Sequence, residues 1–447
     1  MMMKKKRFLI LGISAALLCG CGSNGDGNAK GTKDEEGKTT ITVAGYPSAD
    51  QAFEAALEGF HEKYPDIEVE FNITDSTSHH QALSTALASG TDAADVAMVE
   101  GGYIAQYSNS NALTNLLEEP FNAEQYKDDF VALKWNQAYS VDGKRMVAIP
   151  WDIGPATYFY RRDVFEECNL PTDPDEVGEL MSTWEGVLEV AEAVSIPGER
   201  WLLPDAVDFY RMMFANRDYY NEDLTLRLDR DGDVECLDAI KTIRENGWDM
   251  NVNAFSSEAY SGFASGTCVS VPMASWFGGM LKTDVDPEGT GKWAVTDMPG
   301  GIQSSNCGGS YLVIPEQSEH KEEAWKFIEY MLCTAEGQNA IMEEVDYFPA
   351  YTPAYEDPMY DEEDAYFGGQ KTRSLWVEQA VEMKPVYSTM MDVSAEECIT
   401  STINGCLDRG DSPEQMKEQL EEDIEKAVAE LKAQWIQIYK DAGMWED

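Results

Sequence analysis

Apolar positions along this chain recur with two periods, and the order in which the periods alternate lays out the expected elements. Thr39 to Ala44 (T-T-I-T-V-A) is a short β-branched run of the kind that forms a strand, and Gly45-Tyr46-Pro47 turns it toward a helix. Ser48 with Gln51 three residues on reads as a capping box, and Ala52, Phe53, Ala56, Leu57, Phe60 and Tyr64 share one helical face before Pro65 ends it. Ile67 to Phe71 reads as a second strand. Strand, helix and strand within roughly thirty residues form a βαβ unit, which predicts a parallel sheet. A helix over Gln81 to Ser89 and a strand over Asp95 to Val99 continue it.

Further on, the turn Asp142-Gly143-Lys144 leads into an extended run, Met146 to Asp152. Tyr158 to Tyr160 starts a new strand, and Arg162 to Phe165 a new helix. Thr183 is placed to cap a helix with Trp184, Val187, Leu188, Ala191 and Val194 on one face, and Ala324, Phe327, Ile328, Met331 and Leu332 keep helical register later. The last helix has the clearest signals: Ser412 as cap, Pro413 at its first position, and a stripe of Met416, Leu420, Ile424, Ala427, Val428, Leu431 and Trp435. No repeat is visible, and no apolar run after the N-terminus is long enough to span a bilayer, so the chain is not expected to be a channel or permease.

The N-terminus changes the picture. Lys4, Lys5, Lys6 and Arg7 precede an apolar stretch of 11 residues, Phe8 to Leu18. That is too short to cross a hydrocarbon core of about 30 Å, so residues 1–20 read as a cleaved export signal. Leu18-Cys19-Gly20-Cys21 resembles the bacterial lipobox, which implies a diacylglyceryl group on the sulfur of Cys21 and attachment to the membrane there. Residues 21–38, with Gly22-Ser23-Asn24-Gly25-Asp26-Gly27-Asn28, form a polar tether. Removing the signal takes four of the 33 basic residues and none of the 82 acids, leaving a net charge of −53. A surface of that sign repels nucleic acid and anionic ligands and favours neutral or cationic ones. With 43% hydrophobic residues, 11 Trp, 21 Tyr and 16 Phe, the chain is nonetheless globular. Seven cysteines remain after Cys19 and Cys21, without C-x-x-C spacing, and most are expected as thiols.

Segments in order along most of the chain resemble the family 1 extracellular solute-binding proteins, the maltose-binding-like receptors of ABC sugar importers. They are Phe53-x(3)-Leu57-x(2)-Phe60-x(3)-Tyr64-Pro65-x-Ile67-x-Val69; Ala88-Ser89-Gly90-x(4)-Asp95-Val96; Asp142-Gly143-Lys144 running into Ile149-Pro150-Trp151-Asp152; Tyr160-x(2)-Asp163-x-Phe165; Phe263-x(2)-Gly266 with Ser275-Trp276; Gly308-Gly309-Ser310; and Ala324-x(2)-Phe327-Ile328. The resemblance implies an α/β, two-lobe periplasmic-binding-protein-like fold of type II, with hinge crossovers and the ligand cleft between the lobes. The first lobe would hold 39–149 plus 275–330, the second 150–274 plus 331–447. It further implies a non-catalytic receptor for a carbohydrate, here an oligosaccharide, that delivers its ligand to ABC permease subunits and needs no cofactor. Behind a lipobox and a long acidic tether, it would sit on the outer face of the cytoplasmic membrane of a Gram-positive bacterium. A peptide or polyamine receptor and an extracellular glycan-active enzyme are the rival readings.

A sugar offers hydroxyls to carboxylates and amides, and C–H faces to flat rings. Trp151 and Trp276 are the expected stacking rings, with Asp152 as a neighbouring acceptor. Tyr46 and Ser48 lie at a strand-to-helix turn, where Ser48 also suits a cap; Glu100 and Tyr103 follow a strand directly; Gly309 beside Gly308 suggests backbone approach; Trp201, Asp205 and Tyr351 complete the candidates. No metal site is expected. Asp229 to Asp233 fails the EF-hand count, because Arg227 falls at the first ligand position, Ser318-x-x-Lys321 matches a β-lactamase motif in spacing only, and four histidines are few for a histidine-rich metal receptor.

Overall fold

The computed structural model describes residues 37–215, 219–221, 223–228 and 232–445, so the export signal, Cys21, most of the tether and the Asp229–Asp231 run lie outside the described residues. Two sheets organise the chain. The first contains β1 (Thr39–Gly45), β2 (Ile67–Ile73), β3 (Val96–Glu100), β4 (Ala148–Pro150) and, much later, β8 (Ser310–Val313), in the order β2-β1-β3-β8-β4. β1 runs parallel to β2 and β3, whereas β8 is antiparallel to β3 and β4, so the βαβ expectation holds for three strands and not for the whole sheet. The second sheet contains β5 (Ala156–Arg161), β6 (Ser270–Ala274) and β7 (Trp293–Thr296), all antiparallel, in the order β6-β5-β7.

Each sheet nucleates its own core. Ile41 and Val43 of β1 point to one face, where Phe53, Phe60, Phe327 and Trp151 pack. β5 is buried at all six residues although it reads A-T-Y-F-Y-R, and its polar ends are satisfied inside. The Tyr158 hydroxyl meets that of Ser270, Tyr160 donates to the Thr172 carbonyl at 3.0 Å, and Arg161 donates to Asp163 and to the Phe263 carbonyl at 2.7 Å. The long C-terminal helix, Pro413–Asp441, starts as expected: the Ser412 hydroxyl accepts from Gln415 N, and the Gln415 side chain accepts from Ser412 N. It buries Met416, Leu420, Ile424, Val428 and Trp435 against the second core, while Ala427 is exposed.

Three expectations are corrected. Ser48 is not a cap: it sits at φ 77° in the left-handed region without a capping bond, its hydroxyl engages Tyr347, and the helix divides into Ala49–Glu54 and Leu57–Lys63. The lobe boundaries also shift. β7 pairs with β5 from Tyr158↔Thr296 to Arg161↔Trp293, so 275–304 stays with the second sheet. The helix Ala335–Val345 in turn places Ile341 in the first core. Pairing partners, which no local pattern encodes, decide both.

The chain therefore crosses between the lobes three times, near Trp151–Pro155, Ser305–Gly309 and Phe348–Ala350. Backbone bonds tie these crossings into one hinge: Trp151 N to Ser310 O at 2.9 Å, Ile153 N to Phe348 O at 2.8 Å, Ala350 N to Trp151 O at 3.1 Å, Cys307 N to Gly154 O at 2.8 Å and Ala156 N to Ser305 O at 2.8 Å. No disulfide links the seven cysteines among the described residues, and no described helix is long and apolar enough to cross a membrane.

Candidate functional site

The carboxyl ends of β1 and β3 stand behind the first-lobe side of the cleft, where open parallel sheets generally place ligands, and the Gly101–Gly102 turn after β3 reaches its lining. β1 delivers Tyr46, and β3 delivers Glu100 followed by the turn Gly101–Tyr103. His80, from the helix Ser76–Ser89, holds them together. Its ring stacks on Tyr103 at 4.3 Å and on Tyr46 at 5.9 Å, and its Nε2 accepts from Glu100 N at 3.2 Å. Tyr46, Glu100 and Tyr103, chosen separately from the sequence, are thus one surface, and the histidine passed over there is its centre.

The second-lobe wall comes from helices and loops. Asp208 and Arg211 lie on the helix Val207–Ala215, and Glu396 and Glu397 on Asp392–Arg409. Arg211 donates to Asp208 at 2.8 Å and to Glu396 at 3.0 Å. These side chains, with Asp205, Asn251, Asn253, Phe255, Val393 and Asn404, line a cavity of 500 Å³. A smaller cavity of 110 Å³ shares Val393 and Glu396 with it and is lined from the other lobe by Gly101, Gly102 and Gln137. Phe255, 46% exposed, stacks on Trp276 at 6.1 Å with the rings 21° apart. Trp276 Nε1 donates to the Cys307 carbonyl at 3.1 Å, which leaves the indole half-buried at the hinge with its ring toward Phe255.

Charge is concentrated here. Burial, and then the Glu396 carboxylate on the opposite lobe, raise the Glu100 carboxyl above its ordinary range, while Lys134 pulls it down. Burial pushes Asp208 up to about 6, against Arg211 and with Asp205 and Glu396 adding to it. Lys134 is fully buried, lies over the Tyr311 ring at 4.1 Å, and is pushed down to about 8 by that burial, with Asp152 and Glu100 opposing. Closing the lobes brings carboxylates together, which a neutral hydrogen-bonding ligand or a cation can mediate and an anion cannot.

Several expected contacts have other roles. Trp151 is fully buried, with Phe53 at 4.6 Å and Tyr347 at 5.4 Å, so it is a core residue of the first lobe with no face for a ligand. Asp152 is buried as well and accepts from Ser310 N at 2.7 Å, where it fixes the hinge. Gly309 is buried, and a Cβ there would lie 2.5 Å from the Asp152 carbonyl and 2.9 Å from Lys134 Nζ, so its glycine serves packing; Gly308 is the one that lines the small cavity. Ser48 lines neither cavity, and Tyr46, Glu100, Tyr103 and Trp276 also stand behind the lining and not in it. Trp201 pairs with Cys268, at the end of the β6 segment away from Trp276, and Tyr351 pairs with Phe130 and packs on it at 5.2 Å. The sequence reading missed His80, Asp208, Arg211, Phe255 and Glu396, and gave Gly309 the weight that belongs to its neighbour Gly308. The Asp208-x-x-Arg211 spacing at a helix start and the aromatic in the polar run Asn251 to Ser256 were the available signals.

Two α/β lobes on a triple hinge, with a ring pair and hydrogen-bonding side chains in the cleft, define a protein that binds a solute between its lobes. The chain belongs to the bacterial extracellular solute-binding protein family, which matches residues 44–338. It is 23% identical over 393 residues to an arabinooligosaccharide-binding protein of Halalkalibacterium halodurans, covering 83% of this chain and 86% of that protein. It is 28% identical to a lactose-binding protein of Rhizobium radiobacter, covering 74% and 79%. A solved family 1 extracellular solute-binding protein superposes with a TM-score of 0.75 at 24% identity, over 87% of this chain and 99% of that one.

Proposed function

We propose that this protein is the substrate-binding receptor of an ABC importer and that it captures an oligosaccharide in the cleft. The observation that carries this reading is the exposed Phe255 ring, backed by Trp276, in the lining of a 500 Å³ cavity furnished with carboxylates, a guanidinium and the carboxamides of Asn251, Asn253 and Asn404. Rings receive the C–H faces of pyranose or furanose units, and the polar groups divide its hydroxyls as donors and acceptors. Relatives named for binding arabinooligosaccharide and lactose support the same class. Gly101 and Gly102 face Glu396 across the small cavity, so a ligand held there touches both lobes and biases the hinge toward the arrangement that keeps them together. Lipid on Cys21 would keep the receptor on the outer face of the cytoplasmic membrane, beside its permease, in a Gram-positive host. Nothing in this role requires catalysis; the ligand is handed on unchanged.

One alternative has a specific observation behind it. Asp205, Asp208, Glu396 and Glu397 outnumber Arg211 in the larger cavity, which suits a polyamine or a basic peptide. Thermal unfolding of the full chain with arabinotriose, lactose, spermidine and a lysine-rich tripeptide separates the two. A ligand at about a thousand times its Kd adds roughly 4 kcal/mol and raises the midpoint visibly. A shift with arabinotriose or lactose, recovered intact, supports the sugar receptor; a shift with spermidine or the peptide alone overturns it.

A further inference from the structure

A second groove runs between the lobes and adjoins the small cavity, sharing Gln137, Val386 and Ser388 with it and no residue with the 500 Å³ acidic cavity. It holds 410 Å³ and is lined from the first lobe by the 104–108 and 136–141 segments, and from the second by Pro385–Ser388 with Trp435 and Tyr439. Its chemistry differs from that of the cleft. None of its 13 lining residues carries a charge, in a chain that is 26% charged, whereas the 500 Å³ cavity counts four carboxylates and a guanidinium. Three half-buried tyrosines, Tyr139, Tyr387 and Tyr439, provide ring surface, and their hydroxyls are held in place. Trp435 Nε1 donates to the Tyr387 hydroxyl at 3.1 Å, that hydroxyl meets Tyr439, and Trp135 Nε1 donates to the Tyr139 hydroxyl at 3.2 Å, which itself donates to Glu124 behind the groove, with Lys127 over the Tyr139 ring at 5.6 Å. Gln137 is braced by the Tyr311 hydroxyl at 2.7 Å and donates across the lobes to the Ser388 hydroxyl at 2.7 Å. The exposed Asn136 carboxamide makes no side-chain bond to a described residue.

Flat rings with fixed hydroxyls and carboxamides, and no charged lining residue, match a neutral polyhydroxylated ligand; the nearest charges, Glu124 and Lys127 at Tyr139, are paired with each other, so an ion would lose hydration without a free counter-charge. We infer that this groove is a second binding site, for a neutral saccharide, distinct from the 500 Å³ acidic cavity. The inference rests on the groove's own lining and not on what the cleft takes. Because each lobe owns one wall, an occupant binds the open and closed arrangements with different affinity, and occupant and cleft ligand must then alter each other's affinity by the same factor.

Fluorine NMR of the full chain labelled with 5-fluorotryptophan tests this, since Trp435 reports the groove and Trp276 the cleft; Trp435→Phe and Trp276→Phe assign the two resonances. With arabinotriose and with lactose as probes, the Trp435 resonance is expected to follow its own saturation curve, weaker than that of Trp276. Asn136→Ala and Tyr139→Ala are each expected to weaken that curve by about tenfold while Trp276 still saturates and the other tryptophan resonances keep native positions. Asn136 is exposed, so its variant stands even if Tyr139→Ala disturbs the fold. The inference is overturned if Trp435 stays still while Trp276 responds, moves only in step with it, or responds equally in both variants. Stillness of both resonances would remove the cleft reading as well.

Discussion

The two walls of the cleft are built in opposite ways. The first-lobe wall is a by-product of strand ends: Tyr46 and Glu100 sit where parallel β1 and β3 stop, and one buried histidine, His80, packs them into a surface. The second-lobe wall owes nothing to strand ends except Trp276, which follows β6; its charged groups come from two helices nearly 200 residues apart in sequence, joined by the Asp208–Arg211–Glu396 bridge. The first wall is uncharged apart from Glu100 and rigidly supported. The second carries the exposed Phe255 ring on the half-buried Trp276, and most of the charge. If the proposed cleft is the binding site, this division predicts that the first wall positions a ligand and the second contributes most of the energy of holding it.

Exchanging tryptophans is the harshest way to break that division. Trp151 belongs to the first core and touches neither cavity, so Trp151→Ala should cost about 3–5 kcal/mol of stability in urea unfolding with arabinotriose affinity of the folded protein unchanged. Trp276→Ala should do the reverse. Loss of the stacked ring removes about 2 kcal/mol of binding, roughly a thirtyfold rise in Kd by titration calorimetry, with little change in the urea midpoint. If Trp151→Ala weakens binding and leaves stability intact, the core assignment of that ring fails.

How far the sequence anticipated these walls follows the same line. β1, the turn at Tyr46, β3 and the Gly101–Tyr103 turn were legible because period and punctuation are local, and so were the Thr183 cap and the Ser412 capping box. Trp151 and Trp276 looked alike in sequence, each an indole beside a turn; only the packing of Phe53 and Tyr347 separates them. The same limit hid the boundary at 275–304, since W-A-V-T at β7 is a plausible edge for either sheet until its partner is known. Asp208, Arg211 and Glu396 were invisible as a unit because their meeting is a matter of helix packing, not of spacing.

Acidity offers a gentler probe of the second wall. Burial raises the Asp208 carboxyl to about 6 from 3.8, so the fold favours its protonated form. Its contribution to stability is therefore fully present below about pH 4 and is lost as pH rises through about 6; at about 1.4 kcal/mol per unit the loss is of order 3 kcal/mol, the Arg211 pairing being already contained in the shift. Urea midpoints measured from pH 4 to 7.5 should fall more steeply in the wild type than in Asp208→Asn, which keeps Arg211 on Glu396. Equal slopes would mean that Asp208 is already well solvated in the native cleft, and that the second wall is wetter than its packing indicates.

The smallest effect bears most directly on the first wall. The Tyr46 hydroxyl meets the Ser310 hydroxyl, and Ser310 N donates to the buried Asp152 at 2.7 Å, so this hydroxyl is committed to the hinge while the ring rests on His80. Tyr46→Phe keeps the ring and deletes one internal hydrogen bond, worth about 1 kcal/mol of stability. Arabinotriose Kd should then stay within about twofold of wild type, well short of the tenfold that a lost bond to ligand produces. A tenfold rise would instead make the Tyr46 hydroxyl a ligand contact released from Ser310 on closure, and the first wall would then contribute binding energy as well as support.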